Sequence, residues 1–381
     1  MYHSPPIRCS SGAQTWAPIG PVGCARRITD SPAEPRPFRV RARRRTMRWV
    51  NGSDGESATG GKALSPGRST SVVTMTSHTS PRLADALAAG TVVLDGGMSN
   101  QLESAGHDLS DELWSARLLA ERPEAVTEAH LAYYLAGASV AITSSYQATF
   151  EGFGKRGIGR DEAARLLGLS VDLAREAARQ AQGAGVPRPL WVAASVGPYG
   201  AMLADGSEYR GRYGMSVDGL ERFHRPRMEV LAAAAPDVLA LETVPDADEA
   251  AALLRAVRGL GVPAWLSYTV EGLRTRAGQP LEEAFGLAAD ADEVIAVGVN
   301  CCAPEDVRGA VEIAARVTGK PVVVYPNSGE AWDARARAWR GRTTFGAEQV
   351  KAWREAGARL IGGCCRVGPQ AITGIAGALA A

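Results

Sequence analysis

Cysteine is the residue type that carries the most chemical information in this chain of 381 residues. Four of the six cysteines form two adjacent pairs, Cys301-Cys302 and Cys364-Cys365. Thiolate sulfur is a preferred ligand of zinc, and a catalytic zinc site has three protein ligands and one open position. The pairs therefore predict a thiolate metal site. Three alternatives stay open: two disulfides, buried thiols that pack as small apolar residues, and a closed zinc or redox module of four cysteines.

The elements that must position these cysteines follow a regular alternation from residue 91 onward. Short β-branched runs alternate with longer segments of helical period, and Gly or Pro stands at nearly every junction. Eight strands are predicted, at 91–94, 138–143, 190–195, 237–241, 264–268, 294–299, 322–325 and 359–361. The predicted helices include 161–182, with Asp161 as its N-cap, and 246–259, 304–318, 345–356 and 369–380.

Eight strand–helix units in about 290 residues predict the α/β class and a single-domain (β/α)₈ barrel. A doubly wound open sheet is the alternative, but no glycine-rich dinucleotide motif follows the first strand. In a barrel, catalytic residues lie at the carboxyl ends of the strands. The cysteine pairs follow the sixth and eighth predicted strands, so both belong to this rim.

The sequence around the pairs resembles a known family. Gly298-Val299-Asn300-Cys301, followed by Gly362-Gly363-Cys364-Cys365 and preceded by Asp95-Gly96-Gly97 after the first strand, resembles the homocysteine S-methyltransferase family over residues 83–380. The resemblance implies a (β/α)₈ barrel in which Cys301, Cys364 and Cys365 hold Zn²⁺. Cys302 departs from the commonest pattern of the family, either as a bystander or as a fourth thiolate.

The resemblance also implies a reaction. The sulfur of L-homocysteine takes the open zinc position, and a methyl group passes to it from a sulfonium donor to give methionine. Segments 197–200, 205–209 and 326–330 resemble the branch of the family that uses S-methylmethionine or S-adenosylmethionine. Selenocysteine as the acceptor and betaine as the donor remain alternatives within the family.

The expected substrate contacts lie on the same rim. Glu242 is expected to bind the homocysteine ammonium, because the family places a substrate-binding glutamate there, and Asp95 is a second candidate. The amides of Gly96 and Gly97 are expected to hold the substrate carboxylate, and Asn300 to orient substrate or a zinc thiolate. Aromatic faces attract cations, and the donor pocket is predicted to include Trp114, Tyr146, Tyr199, Asn327 and Ser328.

Charge separates the first 74 residues from the rest. Residues 1–74 hold 12 Lys or Arg against 4 Asp or Glu, and their composition predicts a disordered leader. A start of translation at Met75, a transit peptide and a nucleic-acid contact are alternative interpretations. The whole chain has 42 basic and 41 acidic side chains and no apolar run long enough to span a bilayer. We therefore expect no nucleic-acid partner and no membrane partner. The family resemblance implies a monomer, because the C-terminal oligomerisation arm of the betaine-using branch is missing, and we expect a cytoplasmic location.

Overall fold

The computed structural model describes residues 81–109, 113, 115–333 and 338–380. The predicted leader, 1–74, and Trp114 lie outside the described residues. The main sheet consists of β1 (Val92–Val93), β2 (Val140–Ile142), β3 (Trp191–Val196), β4 (Val238–Val244), β5 (Ala264–Tyr268), β6 (Val294–Asn300), β7 (Val322–Tyr325) and β8 (Ala358–Ile361). All eight predicted strands are present, with ends shifted by at most three residues.

The strands form a closed parallel barrel. From β2 to β8 each strand pairs in parallel with the next one along the chain, and β1 pairs with β8. A bridge between Leu94 and Val140 links β1 to β2 and completes the ring. The predicted (β/α)₈ barrel is confirmed, and the open doubly wound sheet is wrong because both edge strands are paired.

Alternate strand residues fill the interior of the barrel. One buried cluster takes side chains from all eight strands, among them Trp191, Trp265 and Tyr325. Side chains alternate between the two faces of a strand, so the same parity directs Glu242 and Asn300 inward at the carboxyl ends of β4 and β6. The interior is therefore apolar along the strands and polar at one rim.

Helix Leu83–Ala89 contributes Leu83 and Leu87 to the interior cluster. The other helices surround the barrel: Met98–Ser104, Ser115–Glu121, Pro123–Ala136, Phe150–Lys155, Arg160–Gly183, Tyr199–Leu203, Val217–Ala233, Ala247–Val257, Leu281–Gly286, Pro304–Thr318, Ala347–Ala356 and Pro369–Ala380, with a 3₁₀ turn at Ser207–Tyr209. The prediction that Asp161 is an N-cap is wrong. Gly159 is the N-cap, and Asp161 lies in the first turn, where its charge complements the helix dipole.

Two antiparallel hairpins extend the carboxyl rim and are absent from the sequence prediction. Val270–Glu271 pairs with Arg274–Thr275 after β5, and Ala331–Asp333 pairs with Ala338–Arg340 after β7. Strands of two or three residues have too few positions to show an alternating pattern. Among the described helices, none combines the length and hydrophobicity that a bilayer crossing requires.

Candidate active site

The three cysteines that resemble metal ligands converge at one point of the rim. The Sγ atoms of Cys301, Cys364 and Cys365 lie within 4.8 Å of one another. Those of Cys364 and Cys365 are 4.0 Å apart, and those of Cys301 and Cys364 are joined as a disulfide. Cys302 and Cys365 have free thiols. The grouping agrees with the predicted ligand set, and ligation itself stays a prediction.

Strand β7 lies between the two strands that precede the cysteine pairs, and backbone hydrogen bonds at its carboxyl end fix both cysteine segments. The N–H of Cys301 donates to the Tyr325 carbonyl at 3.2 Å, and the N–H of Cys364 donates to the Pro326 carbonyl at 2.8 Å. Cys301 has a φ of 48°, a left-handed conformation that is uncommon for a residue with a side chain. The chain therefore turns sharply where β6 ends, at the position of the first thiol.

Cys302 lies apart from this group. Its side chain is 4% exposed and belongs to a buried cluster of apolar residues. Burial, followed by the negative charge of Asp306, raises the pKa of its thiol well above the usual range. These surroundings favour a bystander over a fourth thiolate, and the role of Cys302 stays a prediction.

The Asp95-Gly96-Gly97 turn packs directly on the turn that carries Cys364. A Cβ atom at Gly97 would lie 2.6 Å from the Cys364 carbonyl oxygen, and one at Gly362 would lie 2.5 Å from the Asp95 carbonyl oxygen. Contacts this short exclude a side chain, so glycine is required for the close approach. The Gly97 amide donates to the Val367 carbonyl at 2.9 Å. A substrate carboxylate on the Gly96 and Gly97 amides stays a prediction.

Two buried carboxyl groups lie near each other at the rim. Glu242 is 5% exposed and accepts a hydrogen bond from the Ser195 hydroxyl, and Asp95 is 1% exposed and accepts from the Ile142 N–H at 2.8 Å. Burial raises the pKa of Glu242 to about 7. Burial, and then the charge of Glu242, raises the pKa of Asp95 well above its ordinary value.

Neither carboxyl forms an ion pair with another residue in the described ranges, and no cation is among the causes that shift their pKa values. The Oδ1 atom of Asp95 has no hydrogen-bond partner within the part of the chain that the structure describes. An ammonium group between the two acids would offset their burial and favour their ionised forms. The geometry therefore suits an amino-acid ammonium, and the assignment of Glu242 and Asp95 to substrate stays a prediction.

The Asn300 side chain is held by the protein on both sides. Its Oδ1 atom accepts from the Ser267 hydroxyl at 2.6 Å and from the Thr243 N–H, and its Nδ2 atom donates to the Thr243 hydroxyl. The residue is 1% exposed. These bonds favour a positioning role for Asn300 between β4, β5 and β6, and its contact with substrate or a zinc thiolate stays a prediction.

Two of the predicted donor-pocket residues contact a candidate ligand. The Oδ1 atom of Asn327 accepts from the Cys365 N–H at 3.1 Å, and the Ser328 N–H donates to the Cys365 carbonyl at 3.0 Å. The Ser328 hydroxyl lies 2.9 Å from a carboxylate oxygen of Glu330 and donates to it. Asn327 and Ser328 therefore fix the backbone at the third thiol.

The two tyrosines of the predicted donor pocket differ in their surroundings. Tyr146 is half-buried and lies against Gly197, where a Cβ atom would be 2.6 Å from the Tyr146 carbonyl oxygen. Tyr199 packs in an aromatic group, with ring centroids 5.2 Å from Tyr213 and 4.9 Å from Phe223. Donor binding by Tyr146 and Tyr199 stays a prediction, and that by Trp114 falls outside the described residues.

Sequence reasoning missed a buried polar network behind this rim. The Nε2 atom of His224 lies 2.9 Å from a Glu249 carboxylate oxygen, and Arg227 donates to His224 Nδ1 at 2.7 Å. Burial, and then the charge of Arg227, lowers the pKa of His224 to about 4, so the ring is neutral and donates through Nε2. Arg227 also donates to the Gly197 carbonyl. The spacing of His224 and Arg227, three residues apart on one helix face, was the available signal.

The thiols fit the requirements of zinc. Tetrahedral ligation at Zn–S distances near 2.3 Å separates sulfurs by about 3.8 Å, close to the 4.0 Å between Cys364 and Cys365. Reduction of the disulfide makes Cys301 and Cys364 available as ligands. Burial raises the pKa of Cys365 to about 11, so a bound cation is what would keep this thiol ionised.

Three thiols that converge at the carboxyl ends of barrel strands are the arrangement expected of a (β/α)₈ enzyme with a thiolate metal centre. The sequence model of the family described as "Homocysteine S-methyltransferase" matches residues 92–379. The chain is 47% identical over 309 residues to homocysteine S-methyltransferase 4 of Zea mays, covering 77% of this chain and 90% of the relative. The chain belongs to the homocysteine S-methyltransferase family.

Two further relatives extend this similarity. Homocysteine S-methyltransferase YbgG of Bacillus subtilis is 44% identical over 295 residues, with 75% of this chain and 93% of the relative covered. The crystal structure of the metallated form of the homocysteine methyltransferase MmuM from Escherichia coli superposes with a TM-score of 0.69 at 43% identity. It covers 76% of this chain and 96% of the relative. A metal centre is therefore compatible with this barrel.

Proposed function

We propose that this chain is a zinc-dependent homocysteine S-methyltransferase that takes its methyl group from S-methylmethionine or S-adenosylmethionine. The observation that carries the proposal is the convergence of Cys301, Cys364 and Cys365, whose sulfurs lie within 4.8 Å. Three thiolates leave one position of a tetrahedral zinc site for a substrate thiol. Membership of the family supports homocysteine as the source of that thiol.

The buried carboxyls bind the other end of the acceptor. Glu242 and Asp95 both have raised pKa values, and the charge of Glu242 contributes to the shift of Asp95; an arriving ammonium would lower both pKa values. Binding therefore couples the ionisation of Glu242 to the presence of an amino acid. The hydrogen bonds of Asn300 to Thr243 keep this acid in a fixed relation to the thiols.

The methyl transfer is a direct substitution at carbon. Cys301, Cys364 and Cys365 would hold the zinc ion, which would act as a Lewis acid and lower the pKa of the acceptor thiol so that its sulfur is a thiolate at neutral pH. An electron pair of the acceptor sulfur forms the new bond to the methyl carbon, and the old carbon–sulfur bond breaks with its electrons on the donor sulfur. The products are methionine and a neutral thioether. The protein contributes mainly alignment of the three reacting atoms.

The test is methionine formation by the purified full chain. The enzyme is kept reduced, supplied with homocysteine and either sulfonium donor, and assayed before chelation, after chelation and after zinc is returned. We expect turnover that is lost on chelation and restored by zinc. Turnover that persists in metal-free enzyme would contradict the proposal, and so would zinc binding without turnover of either donor. The cytoplasmic location and the monomeric state remain predictions, and sedimentation of the reduced enzyme tests the second.

A further inference from the structure

Glu208 is a buried acid, and no cation of the described part of the chain is among the causes that shift its pKa. It lies in the 3₁₀ turn Ser207–Tyr209, its side chain is 6% exposed, and its Oε2 atom has no hydrogen-bond partner among the residues that the structure describes. Burial raises the pKa of Glu208, and the negative charge of Asp205 raises it further. Since an unpaired buried carboxylate is unfavourable, this position calls for a cation that the described residues do not supply.

The turn is fixed close to the rim. A Cβ atom at Gly200 would lie 2.4 Å from the Glu208 nitrogen, so the turn packs directly on the segment that follows β3. A Cβ atom at Gly197, three residues earlier, would lie 2.7 Å from ring atoms of Tyr146. The segment 197–200 thus contacts the Tyr146 ring and the backbone of Glu208.

Glu208 interacts electrostatically with residues near the three converging thiols. Tyr146 and Tyr209 are half-buried aromatic residues near this acid. Burial is the main cause that raises the pKa of Tyr209, and the next causes are the charges of Cys365 and Glu208. The pKa of Tyr146 is also raised, mainly by burial and then by the charges of Tyr209 and Glu208. The guanidinium carbon of Arg276 lies 5.9 Å from the Tyr209 ring centroid, and its charge lowers the pKa of Tyr209. No cation is among the causes that shift the pKa of Glu208 itself. A buried acid, two half-buried rings and a candidate zinc ligand therefore lie within electrostatic range of one another.

We propose that the Glu208 carboxylate is the counter-charge for the sulfonium group of the methyl donor, with the rings of Tyr146 and Tyr209 beside it. The inference rests on the proposed function and adds a residue that distinguishes donor from product. Before transfer the donor sulfur is positively charged, and after transfer the same sulfur is a neutral thioether. Glu208 attracts the first form and not the second, so it favours donor binding and product release.

The test compares two ligands that differ in the charge on sulfur. S-methylmethionine and methionine both carry an ammonium and a carboxylate, but only the first is a sulfonium. Calorimetric titration of each into the reduced, zinc-loaded full chain gives a ratio of dissociation constants. We expect the wild type to prefer the sulfonium at least tenfold, Glu208→Gln to lose most of this preference, and Glu208→Asp to retain part of it.

Glu103→Gln is the matched control. Glu103 is exposed, and its charge, like that of Glu208, contributes to raising the pKa of Cys365 after burial. Removal of Glu103 takes away a negative charge near the same thiol without touching the buried position, so the preference is expected to stay at its wild-type value. An equal loss of sulfonium preference in Glu103→Gln and Glu208→Gln would overturn the inference, because the overall negative potential near the thiols would then explain the preference.

Zinc content and homocysteine affinity, measured on each variant, separate the two proposals. If the wild type turns over a sulfonium donor and Glu208→Gln keeps the full sulfonium preference, the inference fails and the proposed function stands. If the wild type turns over neither donor, the proposed function fails. A Glu208→Gln protein that loses zinc or homocysteine binding would show a structural role and overturn the inference. Should Glu208→Gln not fold, a sulfonium preference in Glu208→Asp no different from wild type would also overturn it.

Discussion

Asn300 and Thr243 are joined by two hydrogen bonds that connect the acid and thiol parts of the site. Asn300 Oδ1 accepts from the Thr243 N–H at 2.7 Å, and Asn300 Nδ2 donates to Thr243 Oγ1 at 2.7 Å. Thr243 follows Glu242, and Asn300 precedes Cys301. Thr243 and Cys301 both have left-handed φ values, 57° and 48°. Such conformations persist only where surrounding contacts hold them, and this pair of bonds is one such contact.

Replacement of Asn300 by Ala is expected to weaken both parts of the site together. The change leaves the buried Thr243 N–H without its acceptor, which costs about 1–3 kcal/mol. We expect lower stability in chemical denaturation, weaker zinc binding and a higher KM for homocysteine. Ser267→Ala is the control, since it removes one donor to Asn300 and leaves the Thr243 bonds in place. Normal zinc and homocysteine binding in Asn300→Ala would contradict this coupling.

The cysteines are expected to divide into three ligands and one bystander. Cys301→Ala, Cys364→Ala and Cys365→Ala should each lose stoichiometric zinc, because each removes one of three convergent thiols. Cys302→Ala should keep zinc and turnover and cost roughly 1 kcal/mol of stability, as a small cavity in an apolar cluster does. Metal analysis of the reduced proteins measures the first effect. Loss of zinc in Cys302→Ala with retention in Cys301→Ala would reverse the ligand assignment.

Glu242→Gln is expected to stabilise the metal-free, substrate-free protein at high pH. Burial raises the pKa of Glu242 from an ordinary 4.5 to about 7, so the folded state binds this proton more tightly than the unfolded chain. The contribution to stability is full below pH 4.5 and is lost as the pH rises through 7. At pH 8 we expect Glu242→Gln to exceed the wild type by up to about 3 kcal/mol, and at pH 5 the gain should shrink.

Denaturant unfolding at several pH values measures the difference in free energy of unfolding between Glu242→Gln and the wild type. If this difference in stability does not change with pH, the titration of Glu242 is not the cause of it. The same substitution should raise the KM for homocysteine, since Gln offers no charge to an ammonium. Homocysteine should therefore protect the wild type at pH 8 more than it protects Glu242→Gln.

The barrel and the thiol group could be predicted because both rest on local patterns. Buried parallel strands are short runs rich in β-branched residues. The ends of all eight predicted strands lie within three residues of those in the structure. Strand ends of a parallel barrel meet at one rim, so the pairs at Cys301 and Cys364 had to lie close together. Gly97 and Gly362 are also explained by local geometry, because a side chain at either position would prevent contact between the turn at Asp95 and the turn at Cys364.

Buried charge could not be predicted in the same way. Glu208 and Glu249 stand in segments that read as polar, and the usual interpretation of an acid there is a solvent-exposed side chain. Their burial depends on tertiary packing: Glu208 packs against Gly200, and Glu249 accepts from the Tyr199 N–H and from His224, which lie 50 and 25 residues away in the chain. The assignment of Asp161 as an N-cap is wrong for a local reason: the N-cap is Gly159, which caps the helix without a side-chain hydrogen bond, so the sequence offers no polar side chain that marks this position.

Replacement of Glu249 by Ala is expected to be among the most destabilising changes in the barrel. The Glu249 carboxylate accepts from His224 and from the N–H of Tyr199, and its charge offsets the buried guanidinium of Arg227. Removing it takes away the carboxylate that contributes most to offsetting the burial of that cation, ahead of Glu151, and breaking a buried charge pair costs about 3–5 kcal/mol. Glu229→Ala, which breaks an exposed ion pair on the helix of His224, should cost under about 1 kcal/mol. Denaturant unfolding of both variants measures the difference, and equal losses would show that the network does not stabilise the fold.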